Sequence, residues 1–207
     1  SMRYGNADQQ KLSYAASMAA TLAFSIAQQN DKVSLATFDD QVRGFIPPSN
    51  SMAQMIRMSS LLDEADPVDK TNMAACLNEL AGRMQRREIV MIFSDFFTDL
   101  EELEPALQLL RFNQHEVVLF QVMHHDEVAF KFDGMVRFDG LEDPDQYLTQ
   151  TDDIRQGYLD AVAEFRAKLG DICQRNRIEH VEVDTSRDIA EVLIDYLNHR
   201  SLLNRGR

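Results

Sequence analysis

The chain has 207 residues, 44% of them hydrophobic, which suits one domain with a sizeable buried core. Its 34 acidic against 21 basic residues leave a net charge of −13. Such a surface repels phosphate backbones and anionic headgroups, which disfavours nucleic acid and membrane surfaces as partners and leaves cations or a basic face on another protein. Cys76 and Cys173 stand in helical patterns without metal-ligand spacing and read as small core residues of a reducing compartment. No stretch approaches the ~20 apolar residues of a bilayer span and no signal peptide is recognisable, so the expected location is cytoplasmic, including the cytosolic part of a membrane-associated protein.

Leu12, Ala15, Ala16, Ala19, Leu22, Ala23 and Ile26 recur at helical spacing and predict a first helix over about Asp8 to Gln29. Lys32 to Phe38 alternates as a strand, Asp39-Asp40 reads as a hairpin turn, and Val42 to Ile46 returns as an antiparallel edge strand that Pro47-Pro48 should stop. A helix carrying Met52, Met55, Ile56, Leu61 and Leu62 follows, with its methionines as core or as an adaptable docking face. Thr71 then opens a helix with Met73, Leu77, Leu80, Ala81 and Met84 on one face.

Ile89 to Asp95 (Ile-Val-Met-Ile-Phe-Ser-Asp) is the most informative stretch. Five apolar residues run without a break and stop at a carboxylate. The pattern predicts a central strand buried on both faces, with Asp95 at the C-terminal strand end where ligands of open α/β sheets bind. Thr98 and Glu101 have capping-box spacing ahead of a helix with Leu100, Leu103, Leu107 and Leu110. Glu116 to Val122 is a second buried strand, followed by His124-His125-Asp126, whose adjacency is poor for metal ligation. Alternation around Gly134 predicts a small antiparallel insertion near 128–150. A long helix over about Asp152 to Asn176, a strand over Ile178 to Asp184 and a helix over Ile189 to Leu197 complete the chain.

Strands alternating with amphipathic helices predict a doubly wound, mostly parallel α/β sheet with helices on both faces, as one domain over 1–207. Such folds open on the central strand, whereas this chain opens on a helix, so that first central strand is expected to be missing from the sequence. Ser1, Thr71 and Asp95 are the polar positions this topology brings together. Two hydroxyls and a carboxylate suit Mg2+, Mn2+ or Ca2+ rather than zinc.

Several stretches carry a family resemblance: Ser1-Met2-Arg3-Tyr4-Gly5, Lys11-Leu12-Ser13-Tyr14-Ala15, Asp31 through Asp40, Thr71 through Leu77, Ser94-Asp95-Phe96 and Val136-Arg137-Phe138. In this order and spacing the chain resembles a von Willebrand factor A-type domain, nearest to the bacterial domain-of-unknown-function family number fifty-eight. The resemblance implies a Rossmann-like sheet of order 3-2-1-4-5-6, with the missing strand between Val33–Phe38 and Ile89–Phe93. It also implies a metal-ion-dependent adhesion site. Ser1 matches the last serine of that site's Asp-x-Ser-x-Ser loop, Thr71 its threonine and Asp95 its aspartate. The first aspartate and first serine of the loop are absent, so binding of Mg2+ or Mn2+ is expected in an intact protein and is expected to be weak or absent in this chain.

The function so implied is a protein–protein interaction module, with a partner's carboxylate completing the metal's coordination and a MoxR-type AAA+ ATPase as partner in protein assembly or maturation. The alternatives are a metal-dependent phosphoryl-transfer enzyme and a structural domain with a vestigial site. The enzyme reading lacks Asp-x-Asp-x-Thr, a Gly-rich phosphate loop, GxSxG and HExxH.

Overall fold

The alanine-lined stripe near the N-terminus forms α1, Lys11–Gln28, which buries Tyr14, Ala15, Met18, Leu22 and Ala23 along one side. The computed structural model describes residues 2–5, 10–65, 71–130, 135–139 and 146–205, with backbone alone at 135–139, 146–154 and 203–205. After α1 come β1 (Val33–Phe38) and β2 (Val42–Ser49), paired antiparallel. Strand β2 runs through Pro47-Pro48 instead of stopping there. The register is irregular between Val33 and Leu35, opposite the prolines, so that part of the ladder loses little from two missing N–H donors.

Helices α2 (Met52–Asp63) and α3 (Met73–Arg83) lead to β3 (Ile89–Ser94), then α4 (Leu100–Phe112) and β4 (Glu116–Met123). The short α5 (His125–Ala129) precedes β5 (Met135–Asp139) and β6 (Gln146–Gln150), which pair antiparallel as the small insertion foreseen near 128–150. Then follow α6 (Thr151–Arg175), β7 (Glu179–Asp184) and α7 (Ile189–Arg205). Strands β3, β4 and β7 form a parallel sheet in the order β3-β4-β7. The fold is thus mixed α/β.

Strand β4 is the centre of that sheet, and its alternation builds two cores. Val117 and Leu119 pack with Leu77 of α3, Leu103, Leu107 and Leu110 of α4, and Leu169 and Ile172 of α6. Val118, Phe120 and Val122 pack with Tyr14, Met18 and Leu22 of α1 and with Val192, Leu193 and Tyr196 of α7. Helices therefore cover both faces of the sheet. A smaller cluster of Ala23, Ile46, Met55 and Met58 ties α2 and the β1–β2 hairpin to the far end of α1. Met55 and Met58 are core, while Met52 is exposed.

Ile89–Phe93 is expected to be central, beside a strand missing from the sequence. Among the described residues β3 pairs on one side only, with β4, and Ile89 is 51% exposed. Five apolar residues read the same whether a strand has neighbours on both edges or one. Cys76 and Cys173 are buried free thiols, as expected of core residues, and burial pushes the Cys173 thiol up to about 12.

Candidate functional site

Parallel strands deliver their C-terminal ends to one edge of the sheet, and β3 delivers Ser94 and Asp95 there. The chain turns sharply at this point. Ser94 Oγ accepts from the Phe96 amide at 3.1 Å, Asp95 Oδ1 accepts from the Phe97 amide at 3.3 Å, and the Thr98 amide donates to Phe96 O at 2.7 Å. Phe96 is held at φ 60 while fully buried, a left-handed conformation that costs a non-glycine residue about 1–2 kcal/mol. Its ring in the core and the two side-chain caps fix the conformation. The fully buried Gln121 of β4 adds a hydrogen bond to Asp95 O at 3.4 Å, and its Oε1 lies 3.1 Å from His180 Nε2 on β7.

The Asp95 carboxylate is buried and already engaged. Lys11 Nζ donates to Asp95 Oδ2 at 2.8 Å and to Glu127 Oε1 at 2.8 Å, and Lys11 is fully buried. The other Glu127 oxygen accepts from the His124 amide at 2.9 Å, within the capping box of α5. All four carboxylate oxygens thereby have donors. The ammonium also stands 5.5 Å from the centre of the Phe97 ring, within cation–π range. Lys11 is the first residue of α1, where the helix dipole disfavours a cation, and the two carboxylates offset that cost. The preceding turn satisfies the helix's opening amides, since Lys11 N donates to Tyr4 O and Leu12 N to Met2 O.

An open cleft of about 330 Å3 lies nearby, lined by Asp40, Thr71, Asn72, Met73, Ala74, Thr98 and Glu102. Three loops meet in it. The β1–β2 turn is held by Arg43, whose Nε bonds Asp39 Oδ1 at 2.7 Å and whose Nη2 bonds Asp40 Oδ1 at 2.6 Å. Asp39 O accepts from the Asn72 amide at 3.0 Å, which pins that turn to the start of α3. The β3–α4 loop supplies Thr98 and leads to Glu102. Among the described residues the lining is oxygen-rich and carries the carboxylates of Asp40, which Arg43 pairs, and of Glu102, which favours positive charge in the cleft.

Residues 1–168 match the family described as "Protein of unknown function DUF58". The chain belongs to the DUF58 family. No curated protein matches it. Among solved structures, an uncharacterized membrane-spanning protein from Vibrio fischeri is similar at 17% identity, over 90% of this chain and 84% of that one, with a TM-score of 0.26. A superposition of that quality does not define a common fold. No helix among the described residues is long and apolar enough to cross a membrane.

Of the three residues expected at one site, the structure describes Thr71 and Asp95. Ser1 lies outside the described residues. Thr71 is exposed in the cleft, and the N-cap of α3 is its neighbour Asn72, whose side chain accepts from Ala75 N at 3.1 Å. Asp95 is buried against Lys11 and does not line the cleft. The capping box at Thr98 and Glu101 is likewise replaced. Asp99 caps α4 through the Glu101 and Glu102 amides, while Thr98 faces the cleft. His124 caps α5, and His125 Nδ1 lies 2.9 Å from Asp184 Oδ2.

As a metal centre, the described arrangement does not fit. Asp95 has no free oxygen, and among the described residues no group of three His, Cys, Asp or Glu side chains converges on a point. Lys11 and Glu127 are the residues that spacing alone missed. Glu127 left no signal. Lys11 left one, because it sits in phase with Ala15, Met18 and Leu22, the buried stripe of α1.

Proposed function

We propose that this DUF58 domain is a protein-binding module of von Willebrand A type, which docks a partner at the strand-end cleft formed by Asp40, Thr71, Asn72, Thr98 and Glu102. The observation that carries this reading is the meeting of three loops around an open, acidic, oxygen-lined cleft at the sheet's C-terminal edge. Ligands of open α/β sheets bind at that edge. The loops are anchored by Phe96, Asp99, Asn72 and Arg43 rather than loosely hung, which suits a docking surface. The acidic lining and the net charge of −13 select a partner segment rich in lysine or arginine.

The doubly wound arrangement belongs to the same reading. Strand β1 and strand β3 each have one edge without a ladder partner among the described residues, and α1 packs against both. A parallel strand between them would complete a single sheet, β2-β1-x-β3-β4-β7. The MoxR-type AAA+ ATPase partnership, and a role in protein assembly or maturation, rest on the resemblance in sequence.

The test is capture of a MoxR-type AAA+ ATPase by the immobilised domain, with and without EDTA. Thr98→Arg and Asn72→Arg, each of which places a cation in the cleft, are expected to reduce capture at least about tenfold, with the fold retained by circular dichroism. Capture unchanged by both variants would remove the cleft from the docking surface.

A further inference from the structure

We infer that Lys11 is itself the cation of the Asp95 site: its ammonium holds the β3–α4 loop to α1 and α5, and it fills the position a divalent ion would take. This stands apart from the docking reading and does not depend on it. Nζ lies 2.8 Å from both Asp95 Oδ2 and Glu127 Oε1. A Mg2+ ion bound to either oxygen sits about 2.1 Å from it, so an ion bridging the two would overlap the nitrogen and face its charge. The two cations exclude each other.

The surroundings are those of a built position. Lys11 is fully exempt from solvent and Asp95 is 2% exposed. The remaining carboxylate oxygens accept from the backbone amides of Phe97 and His124, so each of the four oxygens has a donor. A buried lysine between two carboxylates is costly to desolvate and is retained where it fixes geometry. What it fixes here is specific. The first residue of α1, the residue that follows β3 and a residue of α5 meet at one nitrogen, although 84 and 116 positions separate the carboxylates from the lysine in sequence. Lys11 is therefore a positioning residue for the β3–α4 loop, whose Thr98 lines the cleft.

The experiment uses the whole chain. In wild type, the Lys11 ammonium should give a sharp, exchange-protected 1H–15N cross-peak that Mn2+ does not broaden. The melting temperature should move by less than about 1 °C between EDTA and millimolar Mg2+ or Mn2+. Lys11→Met should lower the melting temperature by about 10 °C, and Lys11→Met/Asp95→Asn/Glu127→Gln, which removes every charge of the cluster, should recover most of that loss. Selective bleaching of the Lys11 peak by Mn2+, an EDTA-sensitive wild-type melting temperature, or a Lys11→Met chain as stable as wild type would each overturn the inference. If Lys11→Met fails to fold, the wild-type Mn2+ arm still decides. Loss of partner capture in cleft variants with the Lys11 peak intact would concern docking alone.

Discussion

Lys11 Nζ and Asp95 Oδ2 lie 2.8 Å apart and join the first residue of the first helix to the end of β3, across 84 positions of sequence. Glu127 makes the pair a triad that carries one positive and two negative charges out of water. The single substitutions should therefore be unequal. Lys11→Met leaves two buried carboxylates without a counter-charge and is expected to cost about 3–5 kcal/mol. Asp95→Asn or Glu127→Gln leaves a neutral pair and should cost less, about 1–2 kcal/mol. Urea unfolding of the three variants gives the ranking, and a Lys11→Met cost below that of Asp95→Asn would contradict it.

Thr71 and Asn72 adjoin and should behave oppositely. Asn72 caps α3, so Asn72→Ala should cost about 1 kcal/mol of stability. Thr71 caps nothing and is exposed, so Thr71→Ala should stay within about 0.5 kcal/mol of wild type. Its effect should appear in partner capture instead. Chemical denaturation beside a binding assay separates the two roles, and equal stability losses would return Thr71 to a capping role.

Gly44 of β2 lies where the hairpin meets α2. A Cβ there would stand 2.6 Å and 2.8 Å from the two Leu61 methyl carbons and 2.9 Å from Thr37 Oγ1. Gly44→Ala is expected to destabilise by about 1–3 kcal/mol through overpacking. Leu61→Ala in the same chain removes two of the three collisions. The double variant should therefore be more stable than the sum of the single costs implies, by at least about 0.5 kcal/mol in a double-mutant cycle. Additive costs would place the strain at Thr37.

Much of the fold is legible in the sequence because most of its elements are amphipathic in one way. The leucines of α4 and the alanines of α1 repeat at helical spacing, and each stripe does face a core. What misleads is chemistry that looks the same in two settings. The apolar run of β3 reads as central, and among the described residues it has a partner on one edge while β4 has partners on both. Pro47-Pro48 reads as a stop, yet an irregular edge ladder tolerates both prolines. The five-residue α5 is too short to show periodicity, and it carries Glu127. At the site, Asp95 is visible as a strand-end carboxylate and Thr71 as a helix-opening hydroxyl. The lysine that claims Asp95 is set by long-range packing, which no local spacing encodes.

Glu104 on α4 gives the domain an acid-sensitive contact with the end of α6. Arg175 Nε donates to Glu104 Oε1 at 2.7 Å and Asn176 Nδ2 donates to the same oxygen at 2.9 Å. These hydrogen bonds, the one from Arg175 first, hold the Glu104 carboxyl at about 2, against an ordinary 4.5. The folded chain thus keeps the carboxylate charged at a pH where the unfolded chain protonates it. The contact's contribution is complete above about pH 4.5 and is lost as pH falls towards 2. Arg175 is 56% exposed, so solvent screening limits the contribution to about 1 kcal/mol. Glu104→Gln should be less stable than wild type by about that amount at pH 7 and should converge with it near pH 2 in urea titrations run at several pH values. Parallel pH profiles for the two chains would show that the Arg175 contact contributes nothing to folding.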